Sequence, residues 1–178
     1  MSFGRPKTYK YPPLVRIDVG IDCCFTVKEK RNIFEALIKW QDATDGLVIF
    51  HIGNMSMNKL IMDSDDDGYT WYSINIIKSY HTDKAIVDFE SKDGYKISGL
   101  AVWHKDTTMA LIVVDRIIDK SKKCFISLVM HEIGHLLGLG HDVRNTLMYK
   151  YGGRAAKVTK ADRHKLIDCW RKGLLKVH

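Results

Sequence analysis

Apolar and polar side chains take turns along LVRIDVGID (14–22), and that period of two predicts a half-buried strand. From Thr26 the period lengthens. In TVKEKRNIFEALIKWQDAT the residues Ile33, Leu37 and Trp40 recur at helical spacing, which predicts a helix with Thr26 as its N-cap. DGLVIFHIGN then reads as a buried strand entered through a glycine turn. Strand, helix and strand at this spacing form a βαβ unit, so the two strands are predicted to be parallel with a right-handed crossover.

The middle of the chain is less regular. YTWYSINIIKSY and KAIVDFE fit either strands or parts of irregular excursions, whereas YKISGLAVWH (95–104) and MALIVVDRI (109–117) are strand-like and separated by a short polar turn. From about Lys122, helical spacing returns through Phe125, Leu128, Val129, Ile133, Leu136 and Leu137, until Gly138 and Gly140 end the helix. TKADRHKLIDCWRKGLL (159–175) predicts a last helix, with Thr159 as N-cap and Gly173 near its end. The sum is a single α/β domain over residues 1–178 with a mostly parallel sheet. It comprises an arm (1–13), a body of sheet and helices (14–138) and a C-terminal part (139–178).

Composition changes this picture little. An apolar fraction of 46% and a charged fraction of 28% are those of an ordinary globular protein. No apolar run approaches the roughly 18 residues of a membrane span. The N-terminus has positive charges but no apolar core of a signal peptide. The expectation is a cytoplasmic (or viral, assembly-associated) protein rather than a secreted one, unless the chain is a mature fragment. Cys23, Cys24, Cys124 and Cys169 lack metal spacing and predict reduced thiols. A net charge of +7 favours an acidic partner or nucleic acid, yet the basic residues are scattered, so a generally basic surface is expected.

The chemistry concentrates in HEIGHLLGLGHDVRNTLMY (131–149). Residues four apart share a helix face, so His131 and His135 can offer imidazole nitrogens to one ion. Glu132, one step round, is near enough to take a proton from water on that ion. His141 is out of phase with the helix. Gly138, without a Cβ, can adopt a left-handed conformation and turn the chain back so that His141 becomes the third ligand. Three protein ligands plus water is the usual make-up of a catalytic zinc site. Five fixed positions arise by chance in such a chain on the order of once in 10⁵, which favours one catalytic zinc ion over histidines packed in an ordinary helix.

HEIGHLLGLGH resembles the H-E-x-x-H-x-x-G-x-x-H signature of the metzincin metallopeptidases, and the TLMY that follows looks most like their matrixin branch. The resemblance implies a zincin domain: a twisted, mostly parallel sheet with an antiparallel edge strand, an active-site helix and a C-terminal helix. It implies a zinc endopeptidase acting on peptides or proteins, with Glu132 as general base and Met148 in a supporting turn beneath the metal. IFEALIKWQDATDGLVIF and TKADRHKLIDCW resemble the first helix and second strand, and the closing helix, of matrixin-like domains. Asp142 and Lys150 depart from the matrixin pattern, which makes a divergent member the expectation. The resemblance further implies substrate binding by strand addition, with SGLAVW (98–103), including Gly99, Leu100 and Ala101, as the candidate edge strand; an internal strand is the other reading. Leu147, Tyr149 and Tyr151 are candidates to line the pocket for the residue after the cleaved bond.

Two readings compete with the peptidase. The same site could be a metal staple in a non-catalytic binding or assembly protein, although a pure staple has no need of Glu132. It could also hydrolyse a non-peptide amide. DSDDDG (63–68) opens like a calcium loop, but Ile74 stands where the bidentate glutamate belongs, so a solvated acidic turn is expected over a Ca²⁺ site. His51, His81, His104, His164 and His178 are expected in surface or hydrogen-bonded roles, and Trp40, Trp71, Trp103 and Trp170 in packing.

Overall fold

The fold is built on a βαβ unit in which β1 (Val15–Ile21) and β2 (Val48–Ile52) pair in parallel across α1 (Val27–Ala43). The computed structural model describes residues 15–53, 70–103, 108–118, 120–143, 145–151 and 156–171. Thr26 caps α1 through a capping box: its hydroxyl accepts the Glu29 amide at 3.3 Å, and Glu29 Oε2 accepts the Thr26 amide at 2.6 Å. Beyond this unit come β3 (Thr70–Ser79), α2 (Lys84–Asp93), β4 (Gly99–Trp103) and β5 (Thr108–Val114). A short 3₁₀ turn (Asp115–Ile117) then leads into α3 (Lys122–Leu136), and α4 (Lys160–Arg171) follows.

The five strands lie in the order β2-β1-β3-β5-β4. All pairings are parallel except β4 with β5, so the sheet is mostly parallel with an antiparallel edge strand, as expected. Alternation assigns the faces. Val15, Ile17 and Val19 of β1, Ile74 and Ile76 of β3, and Met109, Leu111 and Val113 of β5 all point into one core. Against them pack Ile33, Ala36, Leu37 and Trp40 of α1 and Phe125, Leu128, Val129 and Ile133 of α3. Val114, one residue out of that phase, joins Ile86 and Ile97 in a smaller cluster with Phe89, Leu100 and Ile112.

Four expectations change. DGLVIFHIGN, expected to be a buried strand, forms β2 at the sheet edge, where Val48 is buried but His51 and Ile52 are exposed. KAIVDFE, read as a strand or an irregular excursion, lies within α2. Its short apolar stripe of Ile86 and Phe89 follows helical spacing, and Gly94 ends it at φ 72°. YKIS precedes the strand, which begins only at Gly99, and DRI closes into the 3₁₀ turn after β5. The readings for the N-terminal arm, DSDDDG, His104, Gly173, His178 and the side chains of Trp71 and Trp103 lie outside the described residues.

Candidate metal centre

The helical repeat sets His131 and His135 one turn apart on α3, with their Nε2 atoms 3.1 Å from each other. What orients the rings is the backbone around them. His131 Nδ1 lies 2.8 Å from the Leu147 carbonyl, and His135 Nδ1 lies 2.8 Å from the Leu139 carbonyl. A carbonyl only accepts, so each Nδ1 carries the proton and donates it, and each Nε2 presents a lone pair to the space between the rings.

The third imidazole arrives because the helix stops. Gly138 takes φ +95°, its N–H donates to the His135 carbonyl at 2.9 Å, and the Leu139 N–H donates to the Gly134 carbonyl at 2.9 Å. This is a Schellman closure, with Leu139 buried beneath it. The reversal brings His141 to ring-centroid distances of 5.4 Å from His131 and 4.7 Å from His135. The three side chains offer ligand atoms that all lie within 4.8 Å of one another. Two nitrogens held about 2.0–2.1 Å from a tetrahedral ion stand roughly 3.3–3.4 Å apart, close to the observed Nε2 pair. The donor set therefore fits zinc: imidazoles with fixed tautomers and no thiolate, open on one side to a cavity of about 1070 Å³.

Glu132 lines the same cavity, only 6% exposed, with its carboxylate against β4. A Cβ on Gly99 would stand 3.2 Å from Glu132 Oε1 and 3.1 Å from its Cγ, so the absent side chain at 99 makes room for the carboxylate. Gly99, Leu100 and Ala101 line the cleft from the sheet edge.

Met148, 1% exposed, packs against α3. A Cβ on Gly134 would come within 2.4 Å of its Sδ and 3.2 Å of Trp40 Cζ2. Trp40 Nε1 donates to the Met130 carbonyl at 2.9 Å, fixing α1 behind the metal-facing turn of α3. The 139–149 segment is pinned at both ends. The Asp142 N–H donates to the Met148 carbonyl at 2.9 Å, and Leu147 N–H donates to Asp162 Oδ2 of α4 at 3.3 Å. Asp162 is itself the N3 residue of a capping box with Thr159. Lys165 Nζ, 2.5 Å from Asp142, and the Val143 amide hold the Asp142 carboxyl below its ordinary range.

These observations decide the family. The Matrixin family model matches residues 25–169, well over half of the chain. The chain belongs to the matrixin family. Family membership and the three-histidine group together imply a zinc ion, and a peptidase family implies peptide or protein substrates. Among solved structures, archaemetzincin from Methanopyrus kandleri is 11% identical with a TM-score of 0.49, over 86% of this matrixin and 93% of that chain. Metalloproteinase-II from Bacteroides fragilis is 14% identical with a TM-score of 0.49, over 92% of this chain and 54% of that one. No curated protein matches this sequence.

Of the residues singled out in the matrixin sequence, the fold brings His131, Glu132, His135, His141, Met148 and the three β4 residues to one place. Leu147 is elsewhere: its side chain is fully buried in the core, and only its backbone serves the site. Tyr151 borders the cavity, whereas Leu147 and Tyr149 are not in its lining. Sequence reading missed Gly134 and Asp162. The signal for Gly134 was a glycine inside an otherwise apolar helix, which marks close packing.

Proposed function

We propose that this matrixin is a zinc endopeptidase of the metzincin type, with His131, His135 and His141 as ligands and Glu132 as general base. The observation that carries this reading is the pair of carbonyl-fixed tautomers, which turn two imidazole lone pairs towards one point beside a buried carboxylate. When bound, zinc supplies a Lewis acid for the scissile carbonyl and brings the pKa of water towards about 7. The rest is the work of the chain. Glu132, wedged against Gly99, takes the proton of the attacking water and later delivers one to the leaving amine. Gly99, Leu100 and Ala101 offer an edge strand whose outward backbone groups hold the peptide extended. Met148 packs below the ligands and fixes their level, and Tyr151 borders the cleft next to them.

Incubation of the zinc-loaded protein with a mixed peptide library, with and without a chelator, tests this directly. Chelator-sensitive cleavage at internal bonds is expected. Intact peptides beside stoichiometric zinc would sink the enzyme and select a metal-stapled binding protein.

A further inference from the structure

The cavity beside the histidines extends back along the first turns of α3 to the segment before β4, and its far end has a distinct chemistry. Phe89, Ile97 and Ile117 form an apolar floor there, and Lys96, Lys120 and Lys123 stand around it, all three exposed. Glu132 is the one carboxylate in the lining among the described residues. The helix repeat separates neighbouring lysines. Lys122 turns towards α1 and pairs with Glu35 at 2.7 Å, whereas Lys123 turns to the cleft. Among the described residues neither Lys120 nor Lys123 has a carboxylate within ion-pair distance. A cleft with walls of one charge sign and an apolar floor focuses its field and concentrates an oppositely charged ligand.

We propose, building on the endopeptidase reading, that the cleft selects peptides carrying aspartate or glutamate beside an apolar residue, on the C-terminal side of the cleaved bond. The position follows from geometry. Lys123 precedes His131 by eight residues, about 12 Å along a helix rising 1.5 Å per residue. An extended peptide at about 3.3 Å per residue covers that in three to four residues. Gly99 abuts Glu132, and residues 96–98 lead from there to the lysines, so a peptide antiparallel to β4 runs its C-terminal half towards them. A peptide uses the edge strand, the apolar floor and the ammonium groups together. A polyphosphate chain uses only the last.

Three fluorogenic peptides test this, identical except for glutamate, glutamine or lysine at the third and fourth positions after the cleaved bond. The kcat/KM for the glutamate peptide is expected to exceed that of the glutamine peptide about five- to tenfold and that of the lysine peptide by more, converging at high salt. In Lys123→Glu the glutamate-to-lysine ratio should fall towards one or invert. Equal kcat/KM for the three peptides, or a ratio unmoved by Lys123→Glu, overturns the proposal. If no peptide is cleaved at all, the endopeptidase reading fails separately. Fluorescence anisotropy of the same peptides on the zinc-loaded protein then decides the charge preference: tighter binding of the glutamate peptide supports it, and equal binding overturns it. A single-stranded oligonucleotide that displaces the glutamate peptide at lower concentration than unlabelled glutamate peptide does also overturns it.

Discussion

Gly134 shows how much of the site is decided at a single Cβ. Alanine is the better helix former by about 1 kcal/mol, so in an open helix Gly134→Ala would stabilise. Here the added methyl meets Met148 Sδ, with Trp40 Cζ2 also only 3.2 Å from it, and Met148 has no exposed surface into which to retreat. Overpacking of this kind costs about 1–3 kcal/mol, which outweighs the gain in propensity. Gly134→Ala is therefore expected to lower stability in urea unfolding and to weaken zinc binding. Met148→Ala removes the obstacle, so the double variant should be more stable than the sum of the single losses by about 1 kcal/mol; strict additivity would refute the contact. Glu132→Gln makes the complementary test. It keeps the shape against Gly99, so zinc should still bind stoichiometrically while peptide cleavage falls by about 10² or more; undiminished turnover would end the general-base role. The residues with chemistry were legible because their identities and spacing specify a metal site. Gly134 and Asp162 were not, since their roles are set by neighbours brought in from distant parts of the chain. Leu147 was misread for a related reason: an apolar residue in a loop reads equally as pocket or core until its backbone partner is known.

Among the elements, α1 is tied to the sheet by its own cap. Glu29 accepts the Thr26 amide and also pairs with Lys78 of β3 at 3.2 Å, largely buried. Burial pushes the Glu29 carboxyl up, but the Thr26 amide and the Lys78 ammonium outweigh it and hold it below its ordinary value of 4.5. A carboxyl whose folded-state pKa is depressed contributes stability that is present above 4.5 and lost as pH falls through the lower folded-state value. Lys78→Met should therefore cost stability at neutral pH, and its melting temperature should approach that of the unaltered protein as pH falls from 4.5 through the lower folded-state value of Glu29. A gap that persists unchanged down to pH 3 would show that Lys78 acts through packing alone. This part of the fold was legible in the sequence: Thr26, Glu29 and the Ile33, Leu37, Trp40 stripe are local signals, and β1, α1 and β2 are contiguous. The α2 helix was not. Its ten residues are too few for a clear period, and Ile86 and Val87 favour strand on their own. Nor could the order β2-β1-β3-β5-β4 be read, because it rests on pairings between segments far apart in the chain.

For the whole molecule, the metal site joins parts that the sheet does not hold. The main core lies between the sheet and the faces of α1 and α3, with Leu166 and Trp170 of α4 joining it, and most of its side chains come from elements that carry no metal ligand. The 139–149 segment reaches that core through Leu139, Leu147 and Met148 and is otherwise held by the Schellman closure and the Asp162 bond from α4, while His141 near its start is exposed. An ion bound only by the folded state adds RT ln(1 + [L]/Kd), about 4 kcal/mol at a thousandfold excess over Kd. In a domain of this size 1 kcal/mol shifts the melting temperature by roughly 2–4 °C, so chelation should lower it by about 8 °C or more. The loss should also be local. On chelation, amide hydrogen exchange is expected to quicken across 139–149 and at the start of α4, while β1 and β3 keep their protection at 25 °C. Uniform loss of protection over the sheet would mean that zinc holds the entire fold, as it does in small metal-nucleated domains. Protection unchanged everywhere would mean that hydrogen bonds and packing alone set the position of His141, with the three ligands preorganised before any metal arrives.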